Sequence, residues 1–231
     1  MILVSVMLSS ALYFATEALS DTAADMFLER MRVYYGTADL MIYPTQNSPS
    51  SFFSRNRAEQ FMDDLEYIAG SIETSASLTH HGETLLFGVK GFTLPELEKW
   101  NPFFLAGEDH LLPFRGKKLI ISKETAAEHG FKLGDYLELD LLGAKRKFYI
   151  AALAEPVGPF QDDGMNINVV VPIDTLATIL NARGRVGTLY LKLKDPTYKG
   201  ELMQKLSTAY SRYQVAETIT DQQLKEYTQS L

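Results

Sequence analysis

The chain begins with a stretch that carries no charged residue before Glu17, which limits the surroundings in which that stretch can fold. A complete membrane span needs roughly 20 apolar residues, and a secretory signal needs a basic residue before its apolar segment, whereas the first basic residue here is Arg30. Three interpretations remain: a buried helix of a soluble domain, an interfacial helix, and the outer part of a membrane helix whose beginning is missing. Small residues without an amphipathic stripe favour the third.

Both ends of the chain are predicted to be helical. Residues 20–35 mix apolar with charged side chains, so the first helix is expected to pass from an apolar region into water. At the other end, Thr220 and Gln223 have the spacing of a capping box, which predicts a helix that begins near Asp221. Because no Gly or Pro stop signal follows, we expect the native polypeptide to continue at both ends; a frayed soluble tail is the alternative.

The composition excludes several classes of function. The 231 residues include 22 Lys and Arg against 29 Asp and Glu, which gives a net charge of −7. This acidic balance argues against nucleic-acid binding, because a nucleic-acid backbone is bound by a basic surface. The absence of Cys excludes disulfides, Cys-ligated zinc, iron–sulfur clusters and a thiol nucleophile. With 46% hydrophobic and 22% charged residues, the chain is predicted to fold around an ordinary core.

Between the two ends the sequence alternates between strand and helix patterns. Short strands are predicted at 38–43, 71–79, 84–89, 118–122, 136–142, 146–153, 168–172, 187–194 and 214–218. Helices are predicted at 95–100, 123–129, 173–180 and 199–213, and one more after Ser54, where apolar residues recur at helical spacing up to Gly70. Turn signals at His81–Gly82 and Gly143–Ala144 predict hairpins. The strands are too many for parallel pairing through short crossovers, so we expect an α+β fold with mixed or antiparallel sheets.

No motif for catalysis or for cofactor binding is found. The sequence lacks a phosphate-binding glycine loop, a nucleophile elbow, a zinc-protease helix and a calcium loop. The pair Asp162–Asp163 lies beside a turn glycine, where acidic residues are usually only solvated. We therefore expect no enzyme, no cofactor and no metal site; a hydrolase built on scattered carboxylates is the weakest alternative.

The adjacent histidines His80 and His81 are the best metal candidates in the sequence. Neighbouring residues of a strand point to opposite faces, so a single metal ion could hardly bind both. His110 and His129 are distant along the chain. We therefore interpret the pair as exposed residues at the tip of a hairpin.

An aromatic and proline-rich segment, residues 92–115, holds the only candidate binding residues. Trp100, Phe103 and Phe104 occur there together with three prolines. They could form a ligand pocket or a surface for a substrate or partner. The favoured alternative is that they pack in the core beneath the proline-rich loop.

The order of several short motifs resembles a known family. The sequence GTADLMI follows the first helix, and IAGSI, FGVKGF, LAGED, LIIS, AAEHGFKLGDYLEL and VVPIDTL come after it in that order. The Leu-Gly-Asp turn placed after the Ala-Gly-acidic segment is the most specific of them. Over roughly residues 20 to 225 this order resembles the MacB-type periplasmic core domain of FtsX-like ABC-transporter permeases.

This resemblance implies both an organisation and a role. Residues 1–35 would end the first membrane helix and form a stalk, and residues 219–231 would form a stalk helix towards the second span. Residues 36–92 and 165–218 would form a β-α-β lobe, and 93–164 an inserted β-rich lobe. The implied domain faces the extracytoplasmic side of the cell membrane and is not catalytic. It couples ATP hydrolysis to export, to extraction or to signalling.

The resemblance also implies partners. These are a separate ABC-type ATPase subunit, a second permease copy in a dimer, the membrane, and an extracytoplasmic protein, peptide or lipoprotein. The alternative function is a free-standing exported module that binds a ligand or protein through residues 92–114.

Overall fold

The computed structural model describes residues 36–161, 164 and 166–218. The stalk helices expected at 1–35 and 219–231, and the pair Asp162–Asp163, lie outside the described residues. Within the described residues, no helix is both long enough and apolar enough to span a membrane.

The described residues form nine strands. These are β1 (Leu40–Tyr43), β2 (Leu65–His80), β3 (Glu83–Phe92), β4 (Lys118–Ser122), β5 (Tyr136–Leu141), β6 (Ala144–Ala154), β7 (Ile167–Pro172), β8 (Thr188–Leu193) and β9 (Gln214–Glu217). The helices are α1 (Asn56–Glu59), α2 (Leu94–Trp100), α3 (Lys123–Glu128), α4 (Ile173–Ile179) and α5 (Lys199–Ala209). Two 3₁₀ turns occur at Gly158–Phe160 and Pro196–Tyr198.

Six of the strands close into a ring. The order β3-β7-β4-β6-β5-β2 returns to β3, because β2 also pairs with β3 along most of its carboxyl-terminal half. The contacts β3–β7 and β4–β6 are parallel, and the others in the ring are antiparallel. The predicted α+β class with a mixed sheet is therefore confirmed.

The long strand β2 joins this ring to a second, antiparallel group of strands. Its amino-terminal half pairs with β8, and β8 continues to β1 and then to β9. The strands of 93–164 lie within the ring, where β5 pairs with β2 and β4 pairs with β7. The division into the lobes 36–92 with 165–218 and 93–164 stays a prediction.

Three apolar clusters fill the part of the molecule that the structure describes. The first lies inside the ring and contains Phe87, Phe148 and Val169. The second is centred on Trp100 of α2 and Tyr190 of β8. In the third, α5 packs against β1, β8 and β9.

One predicted helix is wrong. The helix that begins near Ser54 ends at Glu59, and Leu65–Gly70 belong to β2. This part of β2 is buried on both sides, because Tyr67 and Ala69 pack in the second cluster while Leu65 and Ile68 pack in the third. A strand with two buried faces loses the alternation of apolar and polar residues, so its apolar positions imitated helical spacing.

Both predicted hairpins are found, and the tip of the second lies at Leu142–Gly143, one residue earlier than the predicted Gly143–Ala144. His81 and Gly82 have φ values of 49° and 85°, and Leu142 and Gly143 have 54° and 77°. Two successive residues with positive φ form the tight turn that matches the twist of an antiparallel pair. These turns connect β2 to β3 and β5 to β6.

Candidate functional site

The three aromatic residues singled out in the sequence lie in different surroundings. Trp100 is 0% exposed, with its ring 4.9 Å from Phe92 and 4.6 Å from Tyr190 between centroids. Phe103 is half-buried, and its ring centroid lies 5.5 Å from that of Phe160. Phe104 is 66% exposed. Trp100 therefore packs in the core, and only Phe104 offers its ring to a partner; a substrate or partner surface there stays a prediction.

The histidines lie closer together than their spacing suggested. The ring centroids of His80 and His81 are 4.1 Å apart, and Nε2 of His80 lies 2.9 Å from the carbonyl oxygen of His129. The expectation that the two adjacent rings point apart is wrong, because His81 lies in the turn with positive φ and not in the strand. Within the described residues, no group of three or more potential ligands is arranged to hold a metal ion.

The place where the chain enters the sheet is tightly bound to α2. Gly36 has a φ of +54°, and a Cβ atom on it would lie 2.1 Å from the carbonyl oxygen of Trp100. The amide of Thr37 donates a hydrogen bond of 2.8 Å to that same oxygen. The hydroxyls of Thr37 and Tyr67 are 2.8 Å apart, and burial raises the pKa of Tyr67 to about 12. The chain thus reaches β1 through a fixed contact.

The place where the described chain leaves the sheet lies directly beside the point at which it enters. The amide of Thr218 donates to the carbonyl of Asp39 at 3.0 Å, and its hydroxyl donates to the carbonyl of Ala38. Asp39 itself accepts from the Lys192 ammonium at 3.0 Å and from the Leu193 amide at 2.9 Å. The two ends of the described chain are therefore hydrogen-bonded to each other, and the first of them is also bonded to β8 through Asp39. We call this group of contacts, from Gly36–Asp39 to Thr218, the junction.

Glu96 supports the junction from α2. Its carboxylate accepts from the Arg55 guanidinium at 2.7 Å and from the Gly70 amide at 2.9 Å. These charge-assisted bonds hold α2 against β2 through Gly70 and against the start of α1 through Arg55, because both carboxylate oxygens are used. The carboxyl end of α2 carries Trp100, so Glu96 also fixes the residue against which Gly36 rests.

A cleft of about 690 Å³ opens beside the junction. Glu73 and Lys90, which are direct partners across β2 and β3, line it together with Tyr190. The Tyr190 hydroxyl donates to Glu73 at 3.4 Å, and Lys90 is only 7% exposed. An acid, a base and a phenol that face one another can bind polar groups. The sequence signalled none of these three residues as a binding residue, since all three lie within strands and no motif connects them.

Comparison with solved structures gives the class of this fold. The chain has the fold of the extracytoplasmic domains of MacB-type ABC-transporter permeases, as the sequence resemblance predicted. The extracellular domain of the ABC-type transporter YknZ from Gram-positive bacteria matches with 14% identity and a TM-score of 0.55, over 78% of this chain and 98% of that one. The periplasmic region of MacB from Actinobacillus actinomycetemcomitans matches with 12% identity and a TM-score of 0.59, over 88% and 98%. No family model and no curated protein matches the chain.

Proposed function

We propose that the chain is the extracytoplasmic domain of an ABC-transporter permease and has no catalytic activity of its own. It couples ATP hydrolysis by a separate cytoplasmic subunit to the export or extraction of a substrate, or to signalling to an extracytoplasmic partner. The observation that carries this proposal is the match of the fold to two such domains over 98% of each.

The junction supports the coupling part of the proposal. Residues 1–35 and 219–231 would lead to membrane spans, so a movement of those spans would reach the domain at Gly36 and Thr218. These two points are hydrogen-bonded to each other through Ala38 and Asp39. If both flanking segments moved together, β1, β8 and β9 would therefore move as a unit, and the movement would not be absorbed by the bending of a loop.

We propose the organisation into lobes and subunits that the sequence resemblance implies. Residues 36–92 and 165–218 would form the lobe that carries the junction, and 93–164 the inserted lobe. A second permease copy and an ATPase subunit would complete the transporter. The free-standing binding module that uses residues 92–114 has less support, because Trp100 is buried and Phe104 is the exposed aromatic residue of the candidate three.

The experiment that tests the proposal is fractionation of the native protein with an antibody against residues 36–218. We expect a polypeptide longer than 231 residues in the membrane fraction, extracted only by detergent, which co-purifies with an ATPase subunit. A soluble species of 231 residues or fewer would contradict the proposal. An unrelated integral membrane protein from the same preparation serves as the control for extraction.

A further inference from the structure

A second cleft, of about 660 Å³, is lined by three arginines from separate parts of the chain. Arg57 belongs to α1, Arg185 precedes β8, and Arg212 lies in the turn between α5 and β9. We call it the arginine cleft. Its volume lies within the range of roughly 300–1,000 Å³ that is usual for ligand sites.

The arginine cleft is positive in a chain whose net charge is −7. Of the described residues that line it, none is Asp or Glu. Among the residues that the structure describes, no carboxylate forms an ion pair with any of the three arginines. Glu59, the acidic residue of α1, is instead held by Arg55 at 3.0 Å. The cleft therefore gathers like charges without a described counter-charge, and a bound anion would relieve their repulsion.

The guanidinium groups of Arg57 and Arg185 are held in position without losing their binding capacity. Arg57 donates one hydrogen bond of 2.7 Å to the carbonyl of Ala209, and Arg185 donates one of 2.8 Å to the carbonyl of Asn181. A guanidinium has five N–H donors in a rigid fork, so each retains several for a ligand. The backbone of Arg212 is fixed by a bond of 2.8 Å from the Ser48 hydroxyl.

The floor of the cleft is preformed. Phe53 and Tyr210 are almost completely buried and their ring centroids lie 5.5 Å apart. The Tyr210 hydroxyl donates to the Ser54 carbonyl at 2.9 Å and accepts from the Ala58 amide at 3.0 Å. Tyr213 packs on Phe53 with a centroid distance of 4.6 Å. The cleft therefore has a rigid aromatic floor, on which the half-buried Tyr213 offers the exposed part of its ring to a ligand.

This combination fits a chain of carboxylates better than a single small anion. The planar fork of Arg matches the two oxygens of a carboxylate. Three arginines from different segments offer separate positions for such groups, and a lone phosphate would fill little of the volume. The aromatic floor suits the apolar atoms of a peptide.

The position of the cleft argues for a protein and against a membrane surface. Arg212 and Tyr213 lie just before Gln214, which pairs with Tyr43 at one end of β1 and β9, whereas the junction lies at the other end, where Leu40 pairs with Glu217. Three residues of strand separate these ends by roughly 10 Å. If the flanking segments lead to the membrane, as the proposed function holds, the cleft lies on the far side of the junction from it.

We propose that the arginine cleft binds an acidic polypeptide segment of an extracytoplasmic partner protein. The compartment of the partner rests on the proposed function, whereas the binding chemistry rests on the cleft alone.

The test measures binding of fluorescein-labelled hexaglutamate to the 231-residue chain by fluorescence anisotropy at low ionic strength. We expect saturable binding that weakens with added salt. The triple variant R57Q/R185Q/R212Q is expected to lose at least about tenfold in affinity, since each charged hydrogen bond contributes appreciably. The variant R57K/R185K/R212K, which keeps the charges but not the forks, should lose less than the glutamine variant.

The matched control is Arg183→Gln. Arg183 is exposed, lies two residues from Arg185, and bonds the Thr178 hydroxyl at 3.2 Å outside the cleft. Arg183→Gln should leave the affinity for hexaglutamate unchanged. Because all three cleft arginines are exposed, the variants are expected to fold, and the fluorescence of the buried Trp100 reports on this.

Several results would overturn the proposal. These are no binding of hexaglutamate, an equal loss in Arg183→Gln, equal or tighter binding of pyrophosphate, and equal or tighter binding of phosphatidylglycerol vesicles. A dimer in size-exclusion chromatography that only the glutamine triple variant dissociates would identify a second copy as the occupant, and would also overturn it. None of these measurements depends on membrane attachment or on an ATPase subunit, so a failure here is distinct from a failure of the proposed function.

Discussion

Gly36 is the residue at which the described chain reaches α2, and its backbone conformation leaves no room for a side chain. Its φ is +54°, and an added Cβ would lie 2.1 Å from a backbone oxygen of Trp100. We expect Gly36→Ala to lower the free energy of unfolding by about 3 kcal/mol, because positive φ and the displacement of α2 both contribute. Urea denaturation followed by the fluorescence of Trp100, the only tryptophan, measures this.

Gly82→Ala is the matched control for that substitution. Gly82 also has a positive φ, of 85°, but a Cβ there would meet nothing within 4 Å. It should cost only about 1 kcal/mol, from the backbone alone. Equal losses in the two variants would show that the contact between Gly36 and Trp100 adds nothing.

The stability of the folded chain depends on pH through Tyr67, whose hydroxyl lies 2.8 Å from that of Thr37. Burial is the largest cause that raises the pKa of Tyr67 from 10.0 to about 12. In the unfolded chain the Tyr67 phenol loses its proton near pH 10, whereas in the folded chain it keeps the proton up to about pH 12. The contribution of this phenol to stability is therefore complete below pH 10 and is lost between pH 10 and pH 12. We therefore expect the urea midpoint to fall over this interval, and to fall less steeply in Tyr67→Phe.

The control for the pH effect is Tyr136→Phe. Tyr136 is 67% exposed, so Tyr136→Phe should leave the decrease of the urea midpoint with pH as it is in the unmodified chain. Tyr210, whose pKa burial also raises to about 12, stays in both variants and maintains part of the slope. Identical slopes in Tyr67→Phe and Tyr136→Phe would contradict the assignment.

At the scale of elements, Glu96 decides how firmly α2 is attached. Both of its oxygens are used, one by Arg55 and one by the Gly70 amide. Glu96→Ala leaves the Gly70 amide without its acceptor and leaves Arg55 with Glu59 as its ion-pair partner. We therefore expect a loss of about 2 kcal/mol in the free energy of unfolding.

Glu98→Ala on the same helix is the control for Glu96→Ala. Glu98 is exposed, and its removal should change the free energy of unfolding by less than about 0.5 kcal/mol. A similar loss in both variants would mean that Glu96 acts only through the net charge of α2 and not through its two bonds.

Local signals explain which elements could be predicted from the sequence. The turns at His81–Gly82 and Leu142–Gly143 are encoded by adjacent residues. The same holds for the helix predicted at 123–129, whose first turn is capped by the Ser122 hydroxyl, which accepts from the Thr125 amide at 3.0 Å. The first half of β2 was predicted as a helix, because burial on two faces is set by partners elsewhere in the chain. The pairing of Ser77 with Asp140, which closes the ring between β2 and β5, could not be predicted from local signals either.

The candidate sites were even less accessible to prediction. Gly36 and Trp100 are separated by 64 positions along the chain, and no pattern near either residue indicates their contact. The arginine cleft joins Arg57, Arg185 and Arg212, each of which resembles an ordinary solvated residue in its own segment. The order of short motifs gave the family resemblance and hence the fold, but the position of a binding residue depends on the tertiary arrangement.

At the scale of the whole molecule, the junction ties together the two ends of the described chain, Gly36–Asp39 and Thr218. β1 and β9 are antiparallel, and the chain enters at Leu40 and leaves after Glu217 on the same end of the pair. Pulling these ends apart therefore opens the hydrogen bonds between the strands one after another, whereas pulling along the strands in opposite directions loads them together. The domain should transmit a shared movement of both ends and yield easily when the ends separate.

Single-molecule force measurements can compare these two directions, because the chain has no Cys and introduced thiols give unique attachment points. Attachment through Thr37→Cys and Glu217→Cys pulls the junction apart, and attachment through Gln46→Cys and Glu217→Cys loads β1 against β9 along their length. We expect the first pair to open at a clearly lower force than the second. Thr218→Val, which removes the hydroxyl bonded to Ala38, should lower the opening force of the first pair and leave the second nearly unchanged. Equal forces in both directions would contradict the proposal that the junction is the mechanical link between the flanking segments and the domain.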